Sequence, residues 1–220
     1  MRQITLADLP PSQRHAWLTP LIVPRPIALV STESAGGVGN LAPFSFFAMG
    51  GQNPQSIAFC PVADRDGNPK DTLRNVRETG EFVINVVSRS MIERVNQASA
   101  PYPFEVDEFD AAGFTRLPSS VVKPPRVGES LAQLECKVFQ MVPHGSGPQH
   151  STWVIGEVLV LHVDDALIAE DGLPDTTRLN PAARLGRQEW AYVTAQNMLI
   201  LPRPTVVPGG KPAPRRTLGL

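Results

Sequence analysis

The segment Thr152–Val163 (TWVIGEVLVLHV) restricts the fold more than any other part of the sequence. It is rich in apolar and β-branched residues, and both faces of the strand it predicts are apolar except at Glu157 and His162. A strand of this kind must be covered on both sides, so we expect it to run through the middle of a sheet. The prediction also buries the Glu157 carboxylate, which then needs a partner.

Four further runs are predicted to be strands, because they are short, apolar and bounded by Gly, Pro or polar turns. They are Pro26–Thr32, Gln55–Val62, Glu81–Val87 and Leu131–Val142. The last run alternates in polarity, and its polar set (Gln133, Glu135 and Lys137) predicts one face in contact with solvent.

Two short helices are predicted between the strands, over Asp71–Glu78 and from Met91 to Ala98. Strands outnumber helices and do not alternate with them regularly, which favours an antiparallel barrel over a doubly wound parallel sheet. We therefore predict a mainly β fold, a barrel with a few helices, as one domain over residues 1–200. Residues 201–220 form a Pro-rich basic C-terminal arm, either disordered or extended along the body or a partner subunit.

Composition excludes several classes of partner. The chain has 20 basic and 21 acidic residues, so no overall field draws it to nucleic acid or to an anionic membrane. The charge-free stretch between Glu33 and Asp64 is broken by glycines and prolines, which a membrane helix tolerates poorly. The N-terminus lacks the apolar core of a secretory signal, and Cys60 and Cys136 match no ligand or disulfide pattern, so we expect a cytoplasmic protein with reduced thiols.

The segment Gly37–Ala42 fits the G-x-G-x-x-A form of a dinucleotide-binding fingerprint. That motif acts by presenting a helix N-terminus to a pyrophosphate. Here Pro43 and the aromatic residues Phe44, Phe46 and Phe47 continue as strand instead of helix, so a hairpin turn is the better interpretation.

A candidate anion site lies at the start of the first predicted helix. Arg65, Lys70, Asp71 and Thr72 place two cations and a hydroxyl there. A phosphate monoester, which carries about 1.5–2 negative charges, binds such groups together with free backbone N–H groups. The same residues could equally be a helix cap with solvated cations, and the sequence pattern alone does not choose between the two.

Strand residues from Asn40 to Phe47 mix aromatic side chains with small and polar ones. Such a surface suits a flat heteroaromatic ring with a polar edge, although an ordinary barrel strand has the same composition. The histidines suggest no metal site, because His150 and His162 would be about 40 Å apart on a continuous strand. Hydrolase, zinc-protease and P-loop motifs are also missing from the sequence.

Together these segments resemble the flavin reductase-like proteins of the FMN-binding split-barrel fold, a Greek-key antiparallel barrel. The resemblance rests on Pro24–Thr32, Asn40–Ser45, Lys70–Thr72 and Glu81–Asn85 in that order and spacing, then on Gln149–His150 before Ile155–Val158, and on Ala183–Gly186 before Trp190–Tyr192. Arg187 follows Gly186 here, whereas the commoner form in the family is Arg-Leu-Gly-Gly.

The resemblance implies a homodimer that binds FMN near its subunit interface. Asn40, Ala42, Pro43, Phe44 and Ser45 would contact the flavin ring and ribityl chain, and Arg65, Lys70, Asp71 and Thr72 would surround the phosphate. His150 and Arg184 would approach the flavin from elsewhere, including from the second subunit. The implied activity is hydride transfer from NADH or NADPH to flavin, with a partner oxygenase as one recipient of the reduced flavin. The alternative is a flavoredoxin-like electron carrier without a nicotinamide site. Neither function requires a catalytic side chain, since the cofactor carries the chemistry.

Overall fold

The computed structural model describes residues 1–201 and 203 of the chain. Twelve strands occur in this part of the chain: β1 (Arg25–Pro26), β2 (Ala28–Glu33), β3 (Gly39–Phe44), β4 (Phe47–Gln52), β5 (Gln55–Phe59), β6 (Glu81–Val86), β7 (Arg116–Leu117), β8 (Arg126–Val127), β9 (Ala132–His144), β10 (Ser151–Val163), β11 (Ala182–Arg184) and β12 (Trp190–Tyr192). The helices are α1 (Pro11–Leu18), α2 (Asp71–Thr79), α3 (Ile92–Gln97), α4 (Glu108–Ala112) and α5 (Thr176–Leu179). Short 3-10 turns lie at Leu6–Asp8, Arg89–Met91, Asp165–Leu167 and Ala195–Asn197.

Seven strands form one antiparallel sheet in the order β3-β2-β6-β9-β10-β5-β4. The two edge strands, β3 and β4, are joined by only Ser45 and Phe46. A flat sheet would hold these edges about 29 Å apart, whereas the connection spans at most about 11 Å. The sheet must therefore curl until its edges approach each other, which gives the predicted antiparallel barrel.

The predicted strands are all present, and β10 lies between β9 and β5 in the middle of the sheet, as its apolar faces require. Glu157 is only half-buried, however, and its carboxylate makes no hydrogen bond or ion pair with any residue that the structure describes. The expectation that it is buried with a partner was therefore wrong. The Gly37 region turns between β2 and β3, so it is a hairpin as predicted.

The predicted solvent face of β9 is also wrong for two of its three residues. Gln133 and Glu135 are buried, whereas Lys137 is exposed. The loop from Ser120 to Val127 covers them, because its backbone N–H groups donate to Glu135 and the Val127 carbonyl accepts from Gln133. Polarity alternation predicted the strand correctly but could not predict that the loop preceding it would cover its polar face.

Both predicted helices are present, and α2 ends where Gly80 adopts the left-handed conformation, with φ 72°. Helices α1, α4 and α5 were not predicted. Helix α1 lies in a proline cluster, but its proline occupies the first turn, where no backbone donor is needed.

Two apolar clusters pack on the sheet. One fills the barrel and includes Phe59, Phe82 and Val154. The other packs α3 and α4 against β2 and β3 and includes Leu41, Val95 and Phe109. These two helices therefore pack against β3, the strand along which the cleft described below lies.

A separate three-stranded sheet, in the order β1-β11-β12, brings Arg25 opposite Arg184 and Arg184 opposite Trp190. No helix within residues 1–201 is long and apolar enough to cross a membrane. The predicted C-terminal arm over 201–220 lies outside the described residues except at Leu201 and Arg203, and its separation from a domain over 1–200 stays a prediction.

Candidate functional site

Two adjoining cavities follow strand β3. The larger has a volume of about 470 Å³ and the smaller of about 120 Å³. They share Pro43, Phe44, Lys70 and Ser99 as lining residues, so they form one elongated cleft. The Phe44 ring packs on Phe59 at a centroid distance of 5.3 Å, which anchors this part of β3 to the barrel core.

The N-terminus of α2 lies at the small end of the cleft. No side chain caps this helix, and the N–H groups of Asp71, Thr72 and Leu73 have no acceptor among the described residues. The first helical hydrogen bond runs from the Arg74 N–H to the Lys70 carbonyl. Uncapped N–H groups and the positive end of the helix dipole attract an anion, and the Lys70 ammonium adds a full charge.

Asn40 and Thr72 join β3 to α2 at this end. The Asn40 side-chain amide donates to the Thr72 hydroxyl at 2.9 Å and to the Thr32 hydroxyl at 3.1 Å. Both Asn40 and Thr72 are buried, so this network fixes the start of α2 against the strand. The Thr72 hydroxyl accepts in this network, and its own proton has no recorded acceptor in the described chain.

Glu108, from α4, closes the small end. Its carboxylate accepts from the Leu41 N–H at 2.9 Å and is almost fully buried. Burial raises the pKa of Glu108, and the neighbouring Asp107 and Asp71 carboxylates raise it further. The shift favours the neutral acid, which reduces the repulsion between Glu108 and any anion in the small cavity.

The large cavity is electropositive. Its lining includes Arg25, Lys70, Arg184 and Arg187, and no Asp or Glu is among its lining residues. Arg25 is only 8% exposed and donates to the Ser45 hydroxyl at 3.3 Å and to the carbonyls of Thr19 and Ile22 at 2.7 and 3.2 Å.

Arg25, Arg184 and Trp190 form a row across β1, β11 and β12. The Arg184 guanidinium lies 4.8 Å from the centroid of the Trp190 ring and donates to the Arg187 carbonyl at 2.8 Å. Burial lowers the pKa of Arg25, and the Arg184 charge lowers it further. Both effects disfavour the charged form, although a guanidinium keeps its proton at any physiological pH.

Nine residues that the sequence nominated line the cleft. They are Asn40, Ala42, Pro43, Phe44, Ser45, Lys70, Asp71, Thr72 and Arg184. Arg65 and His150 line neither cavity. They lie on two loops that contact each other, since the Gln149 N–H donates to the Asp64 carbonyl and the Ala63 N–H to the His150 carbonyl.

Sequence reasoning missed Arg25, Trp190 and Glu108 as site residues. Arg25 and Trp190 lie inside motifs that carried the family resemblance. The signal was therefore present, but it was used to predict the fold and not to nominate binding residues. Nothing in the sequence around Glu108 signals its position, because that position depends on how α4 packs against β3. In residues 1–201, no group of three or more His, Cys, Asp or Glu side chains could hold a metal ion.

A curled antiparallel sheet with a cleft along one edge strand is typical of split-barrel proteins. A family model described as "Flavin reductase like domain" matches residues 21–177. An uncharacterised protein of Halalkalibacterium halodurans is 40% identical over 88% of this chain and 92% of its own length. The chain therefore belongs to the flavin reductase-like family, and its fold is the split barrel of flavin reductases.

Two solved structures bear on function. Nitrilotriacetate monooxygenase component B from Bacillus cereus superposes with a TM-score of 0.85 at 30% identity, covering 90% of this chain and 98% of that one. Flavoredoxin of Desulfovibrio vulgaris (Miyazaki F) superposes with a TM-score of 0.69 at 27% identity, covering 83% and 91%. A component of a monooxygenase and a flavoredoxin are thus both similar to this chain.

Proposed function

We propose that this protein binds FMN along β3 and transfers hydride to it from NADH or NADPH. The observation that carries the proposal is the uncapped N-terminus of α2, with Lys70 beside it, opening into the small end of the cleft. Lys70, the hydroxyl of Thr72 and the free N–H groups of the first turn would hold the phosphate. Pro43, Phe44 and Ser45 would lie along the flavin ring in the large cavity.

The small cavity favours a mononucleotide over a dinucleotide. Its volume is about 120 Å³, and Glu108 and the segment from Ala98 to Tyr102 line it. A terminal phosphate needs no more room than this, whereas the second nucleotide of FAD would need additional space. The small volume therefore supports FMN as the proposed flavin.

Bound flavin supplies the hydride-accepting chemistry, and the protein supplies binding and orientation. Asn40 holds Thr72 in place, and the buried Arg25 holds Ser45. These two hydrogen bonds would keep the ribityl end and the ring end of the cleft at a fixed separation. We assign no catalytic side chain and no metal.

A homodimer is part of the proposal. Apolar side chains are exposed on the N-terminal segment, at Trp17, Leu21 and Ile22, and on the sheet surface, where Trp153 lies opposite Val142. Burying these groups against a second copy would remove apolar area from water. Arg65 and His150 lie outside their own cleft, so in this proposal they approach the flavin of the second subunit. Light scattering of the purified protein tests the dimer, and a monomer at micromolar concentration would contradict it.

A partner oxygenase is the proposed recipient of the reduced flavin, because the Bacillus cereus neighbour is named as a component of a monooxygenase. The second candidate function is an electron carrier that receives its electrons from another protein, and the flavoredoxin neighbour favours it. Anaerobic mixing with NADH and NADPH separates the two. Bleaching of the flavin band within seconds supports the reductase, and no bleaching with either nucleotide supports the carrier.

Lys70→Ala tests the phosphate site. We expect FMN affinity to fall about tenfold or more, because a charge-assisted contact contributes about 1.5–3 kcal/mol. Riboflavin, which lacks the phosphate, should bind the variant and the wild type equally. Both affinities are measured by calorimetry.

Arg77→Ala is the matched control, since Arg77 is an exposed cation in the last turn of the same helix. It should change neither affinity. If Lys70→Ala lowered the affinities for FMN and riboflavin equally, or lowered neither, the proposal that α2 binds the phosphate would be wrong.

A further inference from the structure

We propose that the arginine end of the cleft, formed by Arg25 and Arg184, binds the carboxylate of a small aromatic acid that lies beside the flavin as a second substrate. This inference rests on the proposed function, because it assumes that Lys70 and α2 hold the flavin phosphate. It assigns to the cleft a ligand class that FMN itself does not account for.

The first observation is unpaired charge. Neither Arg25 nor Arg184 forms an ion pair with a carboxylate in residues 1–201, although Arg25 is more than nine-tenths buried. The partners of Arg25 are all neutral oxygen atoms. Buried charges are ordinarily paired, and like charges on directly opposed strand residues destabilise a sheet. An anion between the two guanidinium groups would relieve both costs.

The second observation is the separation of the two cationic positions. Arg25 contacts Ser45, and the start of α2 contacts Asn40. Asn40 and Phe44, the residue before Ser45, are four residues apart on strand β3, about 13 Å at the usual rise. One phosphate cannot occupy both ends, so an anion at the arginine end belongs to a different molecule.

The third observation is the shape of the arginine end. Arg184 stacks on the Trp190 ring, and Phe44 and Phe46 also line this cavity. A flat apolar body with one carboxylate matches such a surface, since the guanidinium fork pairs with a carboxylate through two parallel hydrogen bonds. Arg25 lies beneath the C-terminal end of α1, to which its contact with the Thr19 carbonyl ties it.

Calorimetry with benzoate as the probe tests this site in the FMN-loaded protein. We expect saturable binding of benzoate, no binding of the neutral benzyl alcohol, and a loss of tenfold or more in Arg184→Gln. Arg184→Lys keeps the charge but not the planar fork, so it should lose less. Arg89→Gln is the matched control, because Arg89 also stacks on an aromatic ring, Tyr192 at 4.3 Å, but lines neither cavity of the cleft.

Failure of this inference is distinguishable from failure of the proposed function, because FMN content is measured in the same samples. If FMN-loaded protein does not bind benzoate, or if the wild type and Arg184→Gln bind it with equal affinity, the carboxylate site alone is overturned. Inorganic phosphate or NADH that competes at Arg184 while benzoate does not bind assigns the site to a phosphate and also overturns it. If Arg184→Gln weakens FMN but not riboflavin, the flavin phosphate lies at the arginine end, and both proposals fall.

Discussion

Glu108 and Glu135 are both buried glutamates on the chain segments around the barrel, but their surroundings differ. Glu135 accepts hydrogen bonds from the N–H groups of Ser120 and Val121 at 2.7 Å each and contacts the His162 ring nitrogen at 2.6 Å. Burial alone would raise the pKa of Glu135, but these contacts lower it. Glu108 has one partner, the Leu41 N–H, and its pKa is raised by burial.

The difference separates a structural carboxylate from one at a ligand site. Glu135 has enough donors to be stable as an anion, and it fastens the loop after β7 to β9. Glu108 accepts from one backbone N–H, that of Leu41, and it lines the small cavity. Both side chains are largely buried, so the number of hydrogen-bond donors, together with the Asp107 and Asp71 charges near Glu108, separates the directions of the two pKa shifts.

The largest effect that tests this comparison is the loss of the better-bonded carboxylate. We expect Glu135→Ala to lower the free energy of unfolding by about 3–5 kcal/mol, because it leaves the N–H groups of Ser120 and Val121 and the His162 ring without their acceptor. Urea unfolding at neutral pH measures it. Glu129→Ala is the control, since Glu129 also accepts from a backbone N–H and pairs with an arginine but is partly exposed. Equal losses in both variants would contradict the structural role of Glu135.

The pH dependence of stability should have opposite signs for the two residues. The lowered pKa of Glu135 makes its contribution complete above the unfolded value of 4.5, and the contribution is lost as the pH falls through the folded pKa. The advantage of the wild type over Glu135→Gln should therefore shrink by about 1–2 kcal/mol on acidification.

Glu108 should behave in the reverse manner, because its folded pKa is raised. The wild type is favoured while Glu108 is protonated, below the unfolded pKa, and loses that contribution as the pH rises through the folded pKa. Glu108→Gln should therefore gain stability relative to the wild type with rising pH, by about 1 kcal/mol. Urea unfolding midpoints of the wild type and both variants, measured from acidic to neutral pH, test this comparison. If the stability difference from the wild type changed with pH in the same direction for both variants, the comparison would be wrong.

The smallest expected effect is on cofactor affinity. Glu108→Gln removes the titratable carboxyl from the small cavity, so FMN should bind a few-fold more tightly, about 0.5–1 kcal/mol, above the folded pKa of Glu108. Riboflavin should not respond. Glu105→Gln, an exposed glutamate outside both cavities, is the control. An FMN gain that riboflavin shares would show that Glu108 acts on the ring and not on the phosphate.

Most of the barrel could be predicted, because its strands carry their own signal. β10 is apolar on both faces and is central, and α2 starts and ends within one residue of its predicted bounds. The errors share one cause. Glu135 looked like a solvent-facing residue and Glu157 like a buried one, and each depends on what a distant segment covers.

The cleft shows the same division. Residues of β3 and the start of α2 were nominated because consecutive residues form those features, and the structure brings them together at one cleft. Arg25 lies in a motif that carried the family resemblance, but neither Arg25 nor Glu108 could be assigned to the site from its sequence neighbours alone. Their roles require β11 to pair with β1 and α4 to pack on β3, and both contacts join residues far apart in the chain.

The sequence by itself determined the strands, the α2 helix and the family, because local periodicity and short motifs encode them. Only the tertiary structure decided which charges meet: Arg25 with Arg184, Glu135 with His162, and Glu108 with the Leu41 N–H. The physical reason is that burial and hydrogen bonding set the state of a charged group, and both depend on neighbours that are distant in sequence.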